Sequence, residues 1–208
     1  MLLPFEKMHA NGDDFVIVDM RGRKNIIDRR LIEQMGDRNR GIGFNQLAVI
    51  VDCEDADARL TFWNPDGTTL DACGSATRGV AWKLFRETDR LKIIVRTNHG
   101  LLTCTKEADG LITVDMGRPL FLWHEIPIDR KLDTLRLPIL GEPAACSMGN
   151  PHCSLFLDDF ENADVIGVGQ RIESDPLFPQ KTNVHFVQIL SPSGIRLRIW
   201  ERGGGIPL

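Results

Sequence analysis

Cys73 stands at the start of a predicted helix, a place where a thiol can act as a base or a nucleophile. The segment Cys73-Gly74-Ser75 follows a strand and a turn and opens an apolar-striped stretch. The first N–H groups of a helix have no acceptor within it and carry the positive end of the helix dipole, which lowers the pKa of a thiol there. The same N–H groups of Gly74 and Ser75 can hold a carboxylate or a developing oxyanion. The alternative is an ordinary helix start with a buried cysteine.

The other cysteines are typical of packing residues. Cys53, Cys104 and Cys146 lie in or beside apolar runs, where a thiol behaves as a small hydrophobe. The chain has 5 cysteines and no C-x-x-C pair, so neither a disulfide framework nor a structural zinc site is predicted. Asn150-Pro-His-Cys153 contains one His–Cys pair without further ligands at suitable spacing. We therefore predict no metal site.

An internal repeat indicates a duplicated fold. Arg59-Leu-Thr-Phe-Trp63-Asn64 enters an Asp-Gly turn, and Arg196-Leu-Arg-Ile-Trp200-Glu201 enters a glycine turn. Asparagines upstream pair in the same order, Asn45 with Asn183 and Asn11 with Asn150. The gaps to the arginines are similar (59 − 45 = 14 and 196 − 183 = 13). Three pairs in one order predict two similar halves facing each other, with coincidental strand-turn similarity as the alternative.

The repeat predicts where a second reactive group belongs. Cys73 follows Asn64 by nine positions, and the same step from Glu201 gives position 210 (201 + 9), beyond Leu208. We therefore expect the counterpart of Cys73, and the helix that follows it, to be absent from these 208 residues.

Polar side chains gather at equivalent turns of the two halves. One such residue alone is more typical of a turn that bonds its own backbone. As a set between two halves they suit a zwitterionic amino acid, with an arginine pairing a carboxylate through two hydrogen bonds. The set is Asp13, Gln46, Asn64, Asn150, His152, Asn183, Glu201 and Arg202.

These residues are positioned by a strand-rich chain with few helices. Asp28 caps a predicted helix that runs to about Asp37, and a second helix runs from Gly74 to about Thr88. The predicted strands are Asp14–Asp19, Gln46–Val51, Ala58–Trp63, Leu91–Thr97, Leu111–Asp115, His152–Leu157, Val184–Leu190 and Ile195–Trp200. This pattern favours an α+β fold over alternating βαβ units. The weakly patterned stretch 118–138 sets the boundary between domains 1–120 and 121–208.

Composition and charge exclude several classes of protein. With 25 basic and 29 acidic residues, the net charge is −4, which favours neither nucleic acid nor an anionic membrane as a partner. No apolar run approaches the roughly 20 residues that a membrane span needs. The first residues lack the features of a secretory signal, so a cytoplasmic protein is expected.

The ordered motifs of the chain resemble those of the diaminopimelate epimerases, which are cofactor-independent isomerases of the lysine and peptidoglycan pathway. The resemblance runs from about Phe5 to Gly205. It rests on Lys7-Met-His-x-x-Gly-Asp-Asp-Phe15, Gly41-x-Gly-Phe-Asn-Gln46, Asn64-x-Asp-Gly, Cys73-Gly-Ser-Ala-Thr-Arg78, Met148-Gly-Asn-Pro-His152, Thr182-Asn-Val-x-Phe186 and Glu201-Arg-Gly-x-Gly205. It implies two pseudo-symmetric halves, each a β-sheet wrapped around a central helix, with the active site between them. It also implies two cysteines on opposite faces of the substrate α-carbon and no pyridoxal phosphate.

The resemblance also implies a role for each matching residue. Cys73 corresponds to the first acid/base thiol, and the backbone N–H groups of Gly74 and Ser75 to those that hold the reacting carboxylate. His152 and Glu201 correspond to groups that tune the thiols. The residues that match substrate contacts are Asp13, Gln46, Asn64, Asn150, Asn183, Glu201 and Arg202.

The chain departs from the family pattern at several positions. Asp13 and Ser75 stand where the family usually has Asn, and Ala76 where it usually has Gly. Asp13 would add a negative charge near a dicarboxylate substrate. The second block, A-C-G-[ST]-G, does not occur among the 208 residues. The chain thus resembles an epimerase cut just before its second catalytic group, and we expect its second half to lack a central helix and its epimerase activity to be weak or absent.

Other functions remain open at this point. A related racemase could act on proline-like or other small acids, and a non-catalytic binding module could hold an amino acid or a partner subunit without turnover. A Cys–His hydrolase that uses Cys73 and His152 is a more distant alternative, since it gives Asn64 and Arg202 no role. Diaminopimelate is the expected substrate, and self-association into a homodimer is the expected protein contact.

Overall fold

The computed structural model describes residues 2–10, 12–203 and 205–206. The chain divides into two compact units, Met1–Gly117 and Arg118–Leu208. The sequence places the boundary three residues later, after residue 120. Each unit is built on its own sheet.

The first unit is a curled, mixed sheet with a helix on each face. Its elements are β1 (Glu6–Ala10), β2 (Asp13–Asp19), α1 (Arg29–Gly36), β3 (Gln46–Val51), β4 (Ala58–Trp63), β5 (Thr69–Leu70), α2 (Gly74–Phe85), β6 (Lys92–Arg96), β7 (Leu101–Lys106) and β8 (Ile112–Asp115). The strands follow the order β1-β2-β3-β4-β6-β7-β8, with β5 paired to β4. The pairs β2–β3 and β4–β6 are parallel and the others antiparallel.

The two faces of this sheet bury different helices because its central strands are apolar on both sides. One face of β2 and β3 packs on Ile32 and Met35 of α1. The other face, which includes Phe15, packs on Ala76 and Val80 of α2. Strands buried on both faces appear in a sequence as continuous apolar runs, as β2 and β3 do. Since α2 contacts β1, β2, β3, β7 and β8, the sheet wraps around it.

Local sequence determines where both helices begin. The Asp28 carboxylate accepts a hydrogen bond from the Leu31 N–H at 2.8 Å and caps α1, which ends at Gly36 close to the predicted end. Cys73 caps α2. That helix ends at Phe85, three residues before the predicted end at Thr88.

The second unit is a four-stranded sheet with one helix on one face. Its elements along the described chain are β9 (Ala144–Ser147), β10 (Pro151–Phe156), α3 (Val165–Glu173), β11 (Asn183–Ser191) and β12 (Gly194–Trp200). The strand order is β9-β10-β11-β12, and β10 and β11 are parallel. No described helix combines the length and the apolarity that a bilayer crossing requires.

Helix α3 is not among the helices that the sequence predicts. Its segment V-I-G-V-G-Q-R-I-E has two glycines and several β-branched residues, which lower helix propensity. The structure explains one of the glycines: a Cβ on Gly169 would lie 2.6 Å from Cγ of Trp200. The close approach of α3 to β12 therefore requires glycine at this position.

Strand register shows that the two units repeat with a constant offset. Phe15 pairs with Gln46 in the first unit, and His152 pairs with Asn183 in the second. Leu47 pairs with Trp63, and Val184 pairs with Trp200. The offset is 137 residues between β2–β4 and β10–β12 (152 − 15 = 183 − 46 = 184 − 47 = 200 − 63 = 137). Between β1 and β9 it is one residue larger (147 − 9 = 138), since Ser147 pairs with Pro151 as His9 pairs with Asp14. Helices α1 and α3 connect equivalent parallel strands, so the duplication extends through β1–β4 and β9–β12.

The register corrects the pairing of residues that the sequence suggested. Asn183 corresponds to Gln46 rather than to Asn45, and the gap to the arginine of the repeat is then 13 in both units (59 − 46 = 196 − 183 = 13). By the same offset, Asn150 corresponds to Asp13 (150 − 13 = 137). Asn11, which the sequence pairs with Asn150, lies outside the described residues.

The second sheet has one covered and one open face. Helix α3 packs against β11 and β12, and the core beneath it includes Val184 and Phe186. The opposite face, which corresponds to the face under α2 in the first unit, carries exposed apolar side chains of Phe156, Ile189 and Leu197. In the described part of this unit α3 is the only helix. The predicted second half without a central helix is therefore confirmed.

Candidate active site

The candidate residues of the first unit lie at one edge of its sheet. Asp13 and Gln46 begin the parallel strands β2 and β3, so they are neighbours. Asn64 directly follows β4, which runs antiparallel to β3 and therefore ends at the same edge. Cys73 lies between the short strand β5 and α2, directly before the first residue of the helix.

Cys73 is held as the N-cap of α2. Its Sγ accepts a hydrogen bond from the Ala76 N–H at 3.5 Å. Its carbonyl oxygen accepts from the Thr77 N–H at 2.9 Å and from the Thr77 hydroxyl at 2.7 Å. The sulfur is partly exposed and lies 4.0 Å from the side-chain amide of Gln46. The thiol thus sits where a helix dipole stabilises a thiolate.

Gln46 connects the thiol to the carboxylate of Asp13. With its nitrogen turned toward Asp13, the amide donates to Oδ1 at 2.8 Å and to Oδ2 at 3.2 Å. The same end of the amide faces the Cys73 sulfur. One NH₂ group can therefore donate to a carboxylate and to a thiolate at once.

Asp13 is further enclosed by neighbouring side chains. It accepts from Nδ2 of Asn45 at 3.1 Å and from the Ser75 side chain. Burial raises the pKa of Asp13, the bonds from Asn45 and Ser75 oppose that rise, and the charge of Asp14 adds to it. Positions 13 and 75, two of the three that depart from the family pattern, thus contact each other.

Asn64 lies at the same edge but is engaged within its own turn. Its Nδ2 donates to Oγ1 of Thr68 at 2.9 Å, and its N–H donates to the Thr68 carbonyl at 2.8 Å. Gly74 and Ser75 form the first turn of α2, whose N–H groups have no acceptor within the helix. The structure therefore brings Asp13, Gln46, Cys73 and Ser75 into contact and leaves Asn64 beside them.

The candidate residues of the second unit lie at the equivalent edge of its own sheet. Asn183 begins β11, and its side chain connects three segments. Its Nδ2 donates to the Pro151 carbonyl at 3.1 Å, and its Oδ1 accepts from the Arg202 N–H at 3.0 Å. The Arg202 guanidinium donates to the Gln180 carbonyl at 3.2 Å. Asn183 thus links the start of β10 to the turn after β12, the two segments beside which the other candidate residues of this unit lie.

The turn that carries Glu201 repeats the turn of Asn64. The Glu201 N–H donates to the Gly205 carbonyl at 2.7 Å, as the Asn64 N–H does to the Thr68 carbonyl. The offset is again 137 (201 − 64 = 205 − 68). Positive φ angles, which glycine tolerates, occur in both turns, at Gly67 in the first and at Gly203 and Gly205 in the second.

His152 is neutral at physiological pH. Burial lowers its pKa to about 4, and positive charge on His185, when that ring is protonated, or on Arg202 acts in the same direction. Its Nε2 lies 2.8 Å from Oδ1 of Asn150, and its Nδ1 lies 3.2 Å from Nε2 of His185. His152 is therefore a hydrogen-bonding group here rather than a cation.

Two residues that the sequence did not single out support this region. Glu173, 7% exposed at the end of α3, accepts from Nε1 of Trp200 at 2.7 Å and from the Gly203 N–H at 2.9 Å. It therefore anchors the turn that carries Glu201. His185 contacts His152, as described above. Because α3 is not predicted, nothing in the sequence pointed to Glu173.

The remaining cysteines differ from Cys73 in their surroundings. Burial raises the pKa of Cys104 to about 11 and also raises those of Cys146 and Cys153. Cys53 lies near the surface, 3.1 Å from the Asp55 carboxylate. Among the described residues, no three His, Cys, Asp or Glu side chains converge as ligands for a metal.

Comparison with known proteins decides the family. The model of the family described as diaminopimelate epimerase matches residues 5–122 and 144–208. A diaminopimelate epimerase from Gluconobacter oxydans (strain 621H) is 45% identical over 210 residues, covering 100% of this chain and 78% of the relative. The chain belongs to the diaminopimelate epimerase family.

Another member of the diaminopimelate epimerase family is matched over a similar share of both chains. The protein from Acidiphilium cryptum (strain JF-5) is 42% identical over 209 residues, covering 99% of this chain and 76% of the relative. The 208 residues thus span about three quarters of the relatives that they match.

Solved structures at low identity show the same fold. A hydroxyproline epimerase from Agrobacterium vitis superposes with a TM-score of 0.64 at 15% identity, covering 98% of this chain and 71% of that chain. A phenazine biosynthesis protein of the PhzF family from Bacillus anthracis superposes with a TM-score of 0.56 at 17% identity, covering 99% of this chain and 74% of that chain. The α+β fold predicted from the sequence is confirmed.

Proposed function

We propose that this chain acts on diaminopimelate as a cofactor-independent epimerase of lysine biosynthesis, with Cys73 as the group that exchanges the α-proton. The observation that carries the proposal is the position of the Cys73 thiol at the N-terminus of α2, 4.0 Å from the Gln46 amide. This arrangement supplies both a thiolate and donors for the charge that develops on the substrate.

The chemistry of the step explains why these groups belong together. The thiolate takes the α-proton, so that an S–H bond forms as the C–H bond breaks, and the electron pair moves into the substrate carboxylate. N–H groups directed at that carboxylate stabilise the developing charge. We assign this role to the N–H groups of Gly74 and Ser75. Gln46, which bonds Asp13, is placed to donate to the thiolate as well.

We assign the polar groups of the second unit to substrate contacts, as the family resemblance implies. Arg202 can pair with a carboxylate, and Asn150 and Glu201 can bond carboxylate and ammonium groups. Asn183 already uses both ends of its amide on Pro151 and Arg202. We therefore propose that Asn183 supports the contacts that its neighbours make.

Inversion needs a second proton donor on the opposite face of the α-carbon, because one base that returns its own proton retains configuration. The A-C-G-[ST]-G block occurs nowhere in the 208 residues. We therefore expect the 208-residue polypeptide to exchange the α-proton slowly with little inversion.

The test is incubation of the 208-residue polypeptide with LL-diaminopimelate in D₂O. NMR reports deuterium at the α-carbon, and chiral chromatography reports the meso isomer. We expect deuteration without substantial inversion, and loss of deuteration in Cys73→Ser. The matched control is Cys53→Ser, a partly exposed thiol outside the candidate group. Deuteration that survives Cys73→Ser contradicts the assignment of the base.

Two further arms separate the alternatives. A fusion that continues the chain with the corresponding C-terminal segment of the Gluconobacter oxydans relative is expected to invert the substrate. If calorimetry shows that diaminopimelate binds while even this fusion exchanges no α-proton in D₂O, the result would indicate a binding module. Faster exchange of proline or hydroxyproline than of diaminopimelate by the fusion would indicate a proline-type racemase instead.

We also propose a cytoplasmic homodimer. The five cysteines are all free thiols, as expected in a reducing compartment. The exposed apolar side chains Phe156, Ile189 and Leu197 on the open face of the second sheet favour self-association of the 208-residue polypeptide. Analytical ultracentrifugation tests the dimer, and a monomer throughout the micromolar range contradicts it.

A further inference from the structure

We infer that His185 is a positioning residue that fixes, through His152, the orientation of the Asn150 side-chain amide. The inference deepens the proposed function, since it concerns how a proposed substrate contact is oriented. Its geometry, however, lies wholly within the second unit.

The three side chains form one hydrogen-bonded chain across neighbouring strands. Asn150 precedes β10, His152 lies in β10, and His185 lies in β11. Nε2 of His185 lies 3.2 Å from Nδ1 of His152, and Nε2 of His152 lies 2.8 Å from Oδ1 of Asn150. The imidazole rings are 5.0 Å apart between centroids.

The chemistry of the end groups determines where the protons are. Oδ1 of Asn150 can only accept, so Nε2 of His152 carries the proton of that bond. A neutral imidazole then has an acceptor at Nδ1, and His185 must donate from its Nε2. Because the Asn150 oxygen is engaged by His152, its NH₂ group is left to donate to a ligand. A chain with the opposite proton order would present the Asn150 oxygen instead.

The internal repeat shows that this chain is specific to the second unit. By the offset of 137 residues, His152 corresponds to Phe15 and His185 to Ala48 (185 − 137). Both of those residues are buried apolar side chains in the core of the first unit. Packing at these two sheet positions therefore does not require histidine. We attribute the two adjacent imidazoles to their hydrogen bonds instead.

The surroundings keep both rings uncharged. His152 is faced by its cross-strand neighbour Cys146 from β9, by His185 from β11 and by Arg202 after β12. Burial lowers the pKa of His152 to about 4 and also lowers that of His185. The proton order is consequently constant across neutral pH.

The test measures imidazole tautomers by long-range ¹H–¹⁵N NMR of the ¹⁵N-histidine-labelled 208-residue polypeptide. We expect His152 to be protonated at Nε2 and unprotonated at Nδ1 between pH 6 and pH 8. In His185→Phe, loss of the donor is expected to raise the pKa of His152 by roughly one unit, while His185→Gln, which retains an N–H donor, keeps it near the wild-type value. The control His124→Phe removes an exposed histidine of the same unit and should change neither property.

Ligand binding provides the second readout. We expect His185→Phe to weaken diaminopimelate binding about fivefold, and His185→Gln to stay within about twofold of wild type. An Nδ1–H tautomer of His152 in the wild-type protein overturns the inference, even if no variant folds. So does equal behaviour of the Phe and Gln variants. Absence of binding by every protein, wild type included, counts against the proposed function and leaves the tautomer measurement to decide the role of His185.

Discussion

Replacement of Glu173 by Gln should destabilise the second unit, because this buried carboxylate anchors the turn between Trp200 and Gly203. Its two oxygens accept from the Trp200 indole and from the Gly203 N–H at 2.7 and 2.9 Å. A glutamine of the same shape offers one acceptor oxygen and one NH₂ group. One of the two buried donors therefore faces another donor in Glu173→Gln.

The magnitude follows from the bonds that are lost. A hydrogen bond to a charged group contributes about 1.5–3 kcal/mol, and leaving a buried donor unpaired costs about 1–3 kcal/mol. The ion pair with Lys181 adds little, since the Lys181 side chain is 58% exposed. We expect Glu173→Gln to lower the free energy of unfolding by about 2–4 kcal/mol at pH 7.

The stability that Glu173 contributes should fall as the pH is lowered. Burial alone would raise the pKa of Glu173, but the bonds from Trp200, Gly203 and Lys181 outweigh it and lower the pKa below its ordinary value. A carboxyl group with a lowered pKa contributes stability above the unfolded-state pKa, and that stability is lost as the pH falls through the folded-state pKa. The difference in free energy of unfolding between wild type and Glu173→Gln should therefore be largest at pH 7 and shrink below about pH 4.3.

Urea unfolding at pH 7 and at pH 3.5 measures both effects. The matched control is Glu161→Gln, which removes an exposed carboxylate paired with Arg196 and should cost less than about 1 kcal/mol. A Glu173→Gln cost no larger than that of the control at pH 7 would refute the anchoring role. A gap that stays constant down to pH 3.5 would refute its electrostatic origin.

Two further outcomes are expected. Gly79→Ala should lower the free energy of unfolding by about 1–3 kcal/mol in thermal denaturation, because its Cβ would lie 2.4 Å from Cε2 of the buried Phe15. Gly74→Ala, whose Cβ meets only Met116 Sδ at 3.7 Å, is the control, and equal losses would contradict the packing argument. Iodoacetamide at pH 7.5 should alkylate Cys73 at least about a hundredfold faster than Cys104, because burial raises the pKa of Cys104 to about 11. Peptide mass spectrometry measures the two rates, and comparable rates would count against a thiolate at the helix N-terminus.

Much of the fold could be predicted from local sequence because the signals are local. Asp28 caps α1 as expected, and β3 and β4 have their predicted bounds. A capping carboxylate, the apolar β-branched run of β3 and the alternating buried residues of β4 all act on their own neighbours. Strands β1, β5, β7 and β9 and helix α3 are not among the elements that the sequence predicts, and some of them lack such signals. Strand β9 is only four residues long, and α3 has glycines inside it. Its Gly169 is explained only by the distant Trp200.

The candidate site shows the same division. Residue types and order were enough to propose Cys73 as a reactive thiol and to detect a duplication. Both features, a helix start and a repeated motif, depend on residues that are close together in the sequence. The offset of 137 residues, the corrected partner of Asn183 and the contact of His185 with His152 depend on which strands lie side by side. Strand pairing and burial are set by interactions between residues far apart in the chain. Only the tertiary structure could therefore decide them.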